Sequence, residues 1–368
     1  MKIDRVELRE IHLKLRERFE ISSGSREDRR ILLVRLESGD NHAWGECVAA
    51  EDPGYSYETT DTAWSVLTEF LVPGLLGHEM EDARDLLTPV SWVRGHPMAK
   101  AGLEMAAWGL EATRRGTGLV ELLGGERGPV AVGVSVGIQP TDEALVRKVE
   151  GYLEEGYARI KIKIKPGRDV EMLREVRRRF PDVRLMADAN SAYTLADQGR
   201  LAELDDLDLM MIEQPLSYDD LLDHSRLQQS LETPICLDES IHSVRDAELA
   251  LELDAGRIIN IKPGRVGGFA EASRIHDLCM RNGVPVWCGG MLESGVGRAY
   301  NIALATLPGF TLPGDISASS RYWEEDVVDP EFQVDGGFMT PGEGVGIGVR
   351  VREDRLRELT HRVEVFEA

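Results

Sequence analysis

The sequence RIKIKI at residues 159–164 begins the series of charged residues that decides the fold. Its alternation places Lys161 and Lys163 on one face of a strand and the isoleucines on the other. Further polar residues interrupt the ends of later apolar segments at Asp188, Glu213, Asp238 and Lys262. From Lys163 onward, successive members lie 25, 25, 25 and 24 residues apart, about the length of one βα unit. This spacing predicts parallel strands that each deliver a polar side chain to one rim of a barrel.

Short β-branched runs alternate with amphipathic helical segments from about residue 128 onward. The eight predicted strands are Val130–Val136, Arg159–Ile164, Arg184–Ala187, Leu209–Ile212, Pro234–Leu237, Arg257–Ile261, Pro285–Cys288 and Phe310–Leu312. Between two of them, residues 170–180 carry apolar side chains on one side, as a helix packed on a sheet does. Eight strands favour an α/β barrel, whereas a doubly wound parallel sheet would give the same periodicity.

The chain outside the predicted barrel has a different pattern. Near the start, Lys2–Leu15, Arg30–Leu36 and Ala43–Val48 resemble strands, and Met98–Thr113 is predicted to be a helix that ends at Gly116. After residue 320 the sequence becomes rich in glycine and leaves the repeat. We therefore predict an α+β capping domain at 1–125, a barrel at 126–320 and a C-terminal segment at 321–368 that returns to the capping domain.

Composition argues against several classes of partner. Hydrophobic residues make up 42% of the 368 residues, and no apolar run approaches the ~18 residues of a membrane span, so we expect no membrane partner. The formal net charge of −22 opposes binding to nucleic acid. The charged residues at positions 2–5 interrupt any export signal, and we expect a cytoplasmic location. The cysteines are far apart and are predicted to be small core residues: Cys47, Cys236, Cys279 and Cys288.

The three acids of the series predict a metal site. Carboxylates brought together at one rim raise one another's pKa unless a cation lies among them. Oxygen ligands without histidine or cysteine favour Mg²⁺, and Mn²⁺ is the second choice. Taken singly, each acid could instead cap the helix after its strand, but the shared spacing of Asp188, Glu213 and Asp238 favours a metal.

The lysines of the series predict proton transfer. Lys163 and Lys262 should lie on opposite sides of the barrel, with a substrate between them. A nearby cation and partial burial lower a lysine's pKa, so one amine can remove a proton while the other stays charged. Loss of a proton next to a carboxylate gives an enediolate, whose charge a divalent ion stabilises. Alternatively, the alternation of Lys161 and Lys163 marks a solvated strand face, or Lys163 forms a Schiff base in a metal-independent aldolase.

Five motifs carry a family resemblance: KIK at 161–163, DAN at 188–190, EQP at 213–215, DES at 238–240 and KPGRVGG at 262–268. Together they resemble the muconate-lactonizing-enzyme subgroup of the enolase superfamily over nearly the whole chain. The resemblance implies a modified (β/α)7β barrel below an α+β N-terminal capping domain. It also implies that Asp188, Glu213 and Asp238 bind Mg²⁺, and that Lys163 and Lys262 flank a small carboxylate substrate.

Within the subgroup, PVWCGGMLES at 285–294 and PGDIS at 313–317 most resemble o-succinylbenzoate synthases that also racemise N-acylamino acids. The implied reaction is a Mg²⁺-dependent dehydration in menaquinone synthesis, with N-succinylamino acid racemisation as the alternative or second activity. The resemblance further assigns the substrate carboxylate to Lys161, support of the site to Asn190, and the acyl arm to Ser135, Gly290 and Met291. Residues 19–24 and 49–55 resemble the two capping loops, with Tyr55 forming a wall of the pocket.

Several related functions remain open from the sequence. Muconate cycloisomerase shares the lysines and the metal ligands. Dipeptide epimerases typically carry Asp-x-Asp on the eighth strand, where this chain has Asp315-Ile316-Ser317, so a substrate with a free amine is disfavoured. Mandelate-racemase-like enzymes use a histidine base, which the motifs of this chain lack. A non-catalytic, metal-stabilised binding protein is the remaining alternative. We also expect a homo-oligomer.

Overall fold

The computed structural model describes residues 1–22 and 24–368. The chain begins with an antiparallel sheet of four strands. Its first three strands are Arg5–Ile21 (β1), Gly24–Ser38 (β2) and Asn41–Cys47 (β3). The last strand, Thr360–Glu367, pairs antiparallel with β1 and forms one edge of the sheet. The first two strands are longer than predicted because their polar ends continue the pairing beyond the apolar segments.

One long helix packs against this sheet. It runs from Pro97 to Arg115 and is followed by Gly116 in the left-handed conformation, so the predicted helix and its end are confirmed. Gly45 of β3 allows the close approach, because a Cβ there would collide with the carbonyl oxygen of Gly102 in the helix. The shorter helices of this part of the chain are Thr60–Val66, Leu67–Leu71, Val72–Leu75, Ala83–Asp85, Thr88–Val90 and Leu119–Leu123.

Seven parallel strands form the second sheet. They are Val134–Val136 (β4), Ile160–Lys163 (β5), Leu185–Asp188 (β6), Ile212–Glu213 (β7), Ile235–Leu237 (β8), Ile258–Ile261 (β9) and Val286–Cys288 (β10). Their spatial order follows the chain order from one end to the other. A doubly wound sheet reverses its strand order at a switch point, so that alternative is excluded and the barrel class is confirmed.

The first and eighth predicted strands differ from expectation. Residues 310–312 do not form a regular strand; instead Phe310 bridges Val286 and Gly314 bridges Val132, which closes the ring. Pro313 lacks an N–H group and interrupts the ladder at this point. The first predicted strand is divided, because Val130–Ala131 pairs antiparallel with Phe338–Met339 while only β4 joins the barrel.

Helices separate the barrel strands. They are Asp142–Glu154, Val170–Arg179, Leu195–Asp197, Gln198–Ala202, Glu203–Leu207, Leu222–Gln228, Val244–Glu252, Pro263–Val266, Phe269–Asn282 and Gly295–Ala305. The helix predicted at 170–180 is among them. The chain ends with Ser319–Arg321, Glu353–Leu359 and a short ladder of Val328–Asp329 with Arg350–Val351. Over the described ranges, no helix combines the length and apolar character needed to cross a membrane.

Buried glutamates connect the first sheet and its helix to the barrel. Glu104 accepts hydrogen bonds from the backbone N–H groups of Phe269 and Ala270 at 2.7 and 2.9 Å, where a barrel helix begins. Glu46 does the same for the helix at Gly295–Ala305, accepting from Gly297 N at 3.0 Å. Burial raises the pKa of Glu46 to about 8 and that of Glu104 to about 7. Both helix starts are thus fixed by side chains from the N-terminal part of the chain, although the predicted domain limits stay a prediction.

The interior of the barrel is divided into layers by the alternation of its strands. One buried layer contains Met186, Met211, Cys236, Ile258 and Trp287, and the next layer along the strands is polar. The apolar layer therefore closes the barrel beneath the polar residues. All four cysteines are buried and free, as predicted.

Candidate active site

The polar residues of the series lie at the carboxyl ends of consecutive strands, as their spacing predicts. Strand register pairs Lys163 with Asp188, and Asp188 with Glu213. Asp238 follows β8 directly and Lys262 follows β9. None of these five residues exposes more than 7% of its surface. The strands thus place ionisable side chains in a nearly closed space.

Lys161 lies at the centre of the acidic residues. Its Nζ is 2.9 Å from Glu213 Oε2, 3.0 Å from Asp188 Oδ2 and 2.9 Å from Asp315 Oδ2. The amine also lies 5.1 Å from the centre of the Trp287 ring, which forms the floor. Burial lowers the pKa of Lys161, but the three carboxylates outweigh this effect and raise it overall. Lys161 therefore remains a cation.

Lys163 has fewer compensating charges. Its Nζ donates to Asp188 Oδ2 at 2.5 Å and to Asn190 Oδ1 at 2.7 Å. Asn190 in turn donates to Glu239 Oε1 at 2.9 Å, which fixes the orientation of its amide. Burial lowers the pKa of Lys163, and the attraction of Asp188 does not fully offset that effect. Of the two flanking lysines, Lys163 is the one whose surroundings favour a neutral amine.

Lys262 has the opposite electrostatic balance. Its Nζ donates to Asp238 Oδ2 at 2.7 Å and to the Tyr55 hydroxyl at 3.0 Å. Burial lowers the pKa of Lys262, but Tyr55, Glu213 and Glu239 raise it further than burial lowers it. Tyr55 belongs to the predicted second capping loop, so the N-terminal part of the chain contributes directly to this site.

The three predicted metal ligands are close in the fold but point to different amines. Asp188 and Glu213 share the Lys161 amine, whereas Asp238 contacts Lys262 and Arg265. Within residues 1–22 and 24–368, the ligand atoms of the three acids do not all lie within 4.8 Å of one another. Lysine and arginine cations therefore neutralise these carboxylates in the structure.

One other group of residues does meet that distance criterion: Glu10, His12 and His361 on the first sheet. The Glu10 carboxylate already contacts Arg30 at 2.7 Å and Arg362 at 2.6 Å. Two guanidinium groups so close to the ligand oxygens repel a metal cation. Glu10 is the one carboxylate of this group, and its charge is already outweighed by these two cations, so the electrostatics of the group oppose metal binding.

The barrel acids fit a hard divalent cation by their chemistry. All three offer carboxylate oxygens, lie at or directly after the ends of consecutive strands and expose 1% or less of their surface. Beside them, the buried Asn260 Oδ1 and Glu239 Oε2 have no hydrogen-bond partner within the described chain. Buried oxygens without a donor favour a bound cation or water nearby. The donor set therefore suits Mg²⁺ or Mn²⁺ if Asp238 exchanges its contacts with Lys262 and Arg265.

A cavity of about 90 Å³ joins these groups. Its lining contains all the predicted contacts outside the metal ligands: Lys161, Lys163, Lys262, Asn190, Ser135, Gly290, Met291 and Tyr55. Part of the remaining lining comes from the predicted capping loops, namely Phe19, Ile21 and Gly24 of the first and Asp52 of the second. The rest comes from elsewhere in the chain: Ser25, Arg26, Leu292, Asp315 and Tyr322. The first of these loops is the tip of the β1–β2 hairpin, and its residue Ser23 lies outside the described residues. The substrate-contact roles stay predictions.

Sequence reasoning missed several residues that hold this site together. Gln214 accepts hydrogen bonds from Asp238 N and Ser240 Oγ, both at 2.9 Å, and so fixes the loop after β8. Asn260 donates to Glu213 Oε1 at 2.8 Å. It lies two residues before Lys262, so strand alternation alone could have placed it on the same inward face. The contact of Asp315 with Lys161 spans 154 residues, and nothing in the local sequence indicates it.

Two family descriptions match the chain. The enolase C-terminal domain-like family matches residues 144–355. The N-terminal domain of the mandelate racemase / muconate lactonizing enzyme family matches residues 5–124. The first match includes the barrel strands β5 to β10, which carry the polar series, and the second includes β1 to β3 and the long helix packed against them.

Individual relatives extend over almost the full length. The chain is 52% identical over 365 residues to an o-succinylbenzoate synthase from Geobacillus stearothermophilus, which covers 99% of this chain and 97% of that protein. It is also 52% identical over 360 residues to an N-succinylamino acid racemase from Thermus thermophilus, with 98% of each chain covered. The crystal structure of an enolase-superfamily member from Listeria innocua matches with a TM-score of 0.96 at 40% identity, covering 100% of this chain and 99% of that one.

Proposed function

Because the chain belongs to the enolase superfamily and its muconate-lactonizing-enzyme subgroup, we propose that it is an o-succinylbenzoate synthase. The reaction would dehydrate a succinyl-substituted cyclohexadiene carboxylate to the aromatic product. The observation that carries the proposal is that Lys163 and Lys262 line one cavity and are each bound to a different acid of the series. This arrangement supplies two separate amines to one small carboxylate.

We assign the metal to Asp188, Glu213 and Asp238, with Mg²⁺ as the preferred ion and Mn²⁺ as a substitute. Their buried all-oxygen donor set supports this assignment. A bound divalent ion would stabilise the second negative charge that develops on the substrate carboxylate during proton removal. Lys161 would bind the same carboxylate, and the three acids that keep it charged support this role.

The two flanking lysines take different roles in dehydration. Lys163, whose pKa burial lowers, removes the proton next to the carboxylate as a neutral amine. The resulting ammonium then returns this proton to the departing hydroxide, which leaves as water. Lys262, whose pKa is raised, stays protonated and stabilises the enediolate by its charge. Asn190 holds the Lys163 amine in place through its amide oxygen.

N-succinylamino acid racemisation is the second candidate activity. The 52% identity to a racemase of that name supports it. So does the position of the two lysines, because the acid-bearing strands lie between the strand of Lys163 and that of Lys262. In this reaction the lysines would act on opposite faces of the α-carbon, one removing a proton and the other donating one. Both reactions pass through an enediolate, so one site can perform both.

Steady-state rates on the purified protein with MgCl₂ test the proposal. The cyclohexadiene carboxylate and the two enantiomers of an N-succinylamino acid are compared as substrates. We expect dehydration with a kcat/KM in the ordinary enzyme range of roughly 10⁴–10⁸ M⁻¹s⁻¹. A lower value for dehydration than for racemisation would instead favour the racemase, and turnover of neither substrate would contradict both assignments.

Proton exchange in D₂O separates the roles of the lysines. We expect Lys163→Ala to stop exchange at the α-carbon of one enantiomer and Lys262→Ala to stop it for the other. If both variants stop exchange for the same enantiomer and leave it intact for the other, the two-face assignment is contradicted. NMR of the recovered substrate provides the measurement, and the unaltered protein provides the control.

A further inference from the structure

Among the described residues, a single arginine lines the active-site cavity in addition to the lysines. The cationic lining residues are Arg26, Lys161, Lys163 and Lys262. The three lysines are each held by buried acids of the barrel, at distances of 2.5–3.0 Å. Arg26 lies instead on β2, where it pairs with Phe19 of β1 at the hairpin over the cavity. It is therefore the one cavity cation, in the described chain, that the barrel does not provide.

The Arg26 guanidinium is only weakly engaged. Its side chain is 18% exposed, and its hydrogen-bond partner in the described chain is Asp52 Oδ2 at 3.4 Å, on a side chain that is 60% exposed. Its neighbour Arg29 is fully buried and donates to the carbonyl oxygens of Val48 and Ala49 at 3.2 and 3.3 Å. Arg29 is thus occupied by the backbone, whereas Arg26 retains donors for a ligand.

The charge around Arg26 is incompletely balanced. Burial and the nearby Arg29 lower the pKa of Arg26, and the attraction of Asp52 and Glu51 does not offset them. An additional anion would therefore stabilise the charge of this mostly buried guanidinium. None of the charged groups that act most strongly on Arg26 belongs to the reacting end of the cavity.

The proposed substrates carry two carboxylates. One is next to the carbon that loses its proton, and the other ends the succinyl arm. Lys161 and the metal would bind the first, and Lys163 and Lys262 would act at the carbon beside it. The second carboxylate is then left without a cation of its own in the barrel. We propose that Arg26 binds the distal carboxylate of the succinyl arm and selects dicarboxylate substrates over their neutral-arm analogues. This inference rests on the proposed function and names a specificity-determining residue for it.

Binding measurements test this role without relying on turnover. The two ligands are 2-succinylbenzoate and 2-butyrylbenzoate, which differ in that the second ends in a methyl group instead of the distal carboxylate. Calorimetry with MgCl₂ gives the ratio of their dissociation constants for each protein. We expect the unaltered protein to prefer the succinyl ligand and Arg26→Met to reduce that preference by roughly 10- to 100-fold, the value of a charge-assisted hydrogen bond.

Two further variants, Arg18→Met and Asp52→Asn, show whether a change of the ratio in Arg26→Met comes from the lost contact. Methionine preserves the apolar length of the arginine, so packing of the hairpin is retained in Arg26→Met. Arg18, on the neighbouring strand β1, is 59% exposed and does not line the cavity, so Arg18→Met is the matched control for loss of charge. Asp52→Asn removes the acid that competes for Arg26 and repels the ligand. We expect this variant to raise the preference for the succinyl ligand.

The outcomes separate the inference from the proposed function. An unchanged ratio in Arg26→Met, or an equal loss of affinity for both ligands, would overturn the role of Arg26 and leave the proposed function intact. An equal fall of the ratio in Arg18→Met would also overturn it, because the effect would then come from net charge. If the unaltered protein binds neither ligand, the proposed substrate class is wrong and the inference is refuted with it.

Discussion

Lys163 and Asp188 are register partners on adjacent strands, and the Lys163 Nζ lies 2.5 Å from Asp188 Oδ2. The proposed base and a proposed metal ligand are therefore in direct contact, 25 residues apart in sequence. Their distance depends on the strand register, because a shift by one residue would turn one side chain out of the barrel. The barrel itself thus couples the position of the base to the position of the metal ligands.

Loss of the base is the first prediction. We expect Lys163→Ala to reduce kcat for dehydration by about 10²- to 10⁴-fold, the usual contribution of general acid–base catalysis. Steady-state assays measure this effect, and Lys14→Ala, which removes an exposed lysine of β1, provides the control. Retention of either activity by Lys163→Ala would refute the shared role of this residue.

The close packing of Gly289 gives the second prediction. A Cβ at this position would lie 2.6 Å from Lys262 Cε and 2.6 Å from Asn260 Nδ2. Gly289→Ala must therefore displace Lys262 or Asn260, and we expect kcat/KM to fall by roughly 100-fold, as for a small misplacement of a reacting group. Gly199→Ala is the control because nothing lies within 4 Å of the added carbon. Equal activity of the two variants would contradict a positional requirement for Lys262.

Glu46 predicts a pH dependence of stability. Burial raises its pKa from 4.5 to about 8 in the folded protein, so the folded state keeps a proton that the unfolded chain loses. Between these values the unfolded chain binds fewer protons, and the free energy of unfolding falls as pH rises, by about 1.4 kcal/mol per pH unit for one group. We expect Glu46→Gln to remove this contribution to the slope between pH 5 and pH 8.

Urea unfolding at several pH values measures that slope. Glu252→Gln makes the same substitution at an exposed position and provides the control. An identical slope in the unaltered protein and in Glu46→Gln would show that Glu46 does not retain its proton in the folded state.

Metal removal gives the fourth prediction. Incubation with EDTA should abolish activity, and excess MgCl₂ or MnCl₂ should restore it. Treatment with borohydride in the presence of substrate should not label the protein, because the lysines transfer protons and form no Schiff base. Mass spectrometry detects such a label. Full activity in EDTA together with borohydride trapping at Lys163 would instead identify a metal-independent aldolase.

Regular spacing made the barrel and the rim residues predictable. Strand alternation and the 24- to 25-residue interval identify inward positions, because both follow from local backbone geometry. The prediction of a strand at 310–312 was wrong for a reason that is also local, since the next residue, Pro313, has no N–H group to donate to a ladder. Asn260 was accessible to the same reasoning, because it has the phase of Lys262.

Contacts between distant segments could not be predicted in this way. The hydrogen bond of Tyr55 with Lys262 joins residues 207 positions apart, and Glu104 reaches Phe269 across 165 positions. Such contacts depend on how the first sheet and its helix pack against the barrel, which no local pattern encodes. The family resemblance placed Tyr55 at the pocket, but Asp315 as a partner of Lys161 required the folded structure.

The location of the bound ion tests the central claim most directly. A crystal of the protein soaked with MnCl₂, measured for anomalous scattering, would show where the cation lies. We predict one strong peak in contact with Asp188, Glu213 and Asp238, with Asp238 released from Lys262. A peak at Glu10, His12 and His361 instead, or no peak among the three barrel acids at saturating Mn²⁺, would contradict the proposed metal site and the chemistry assigned to it.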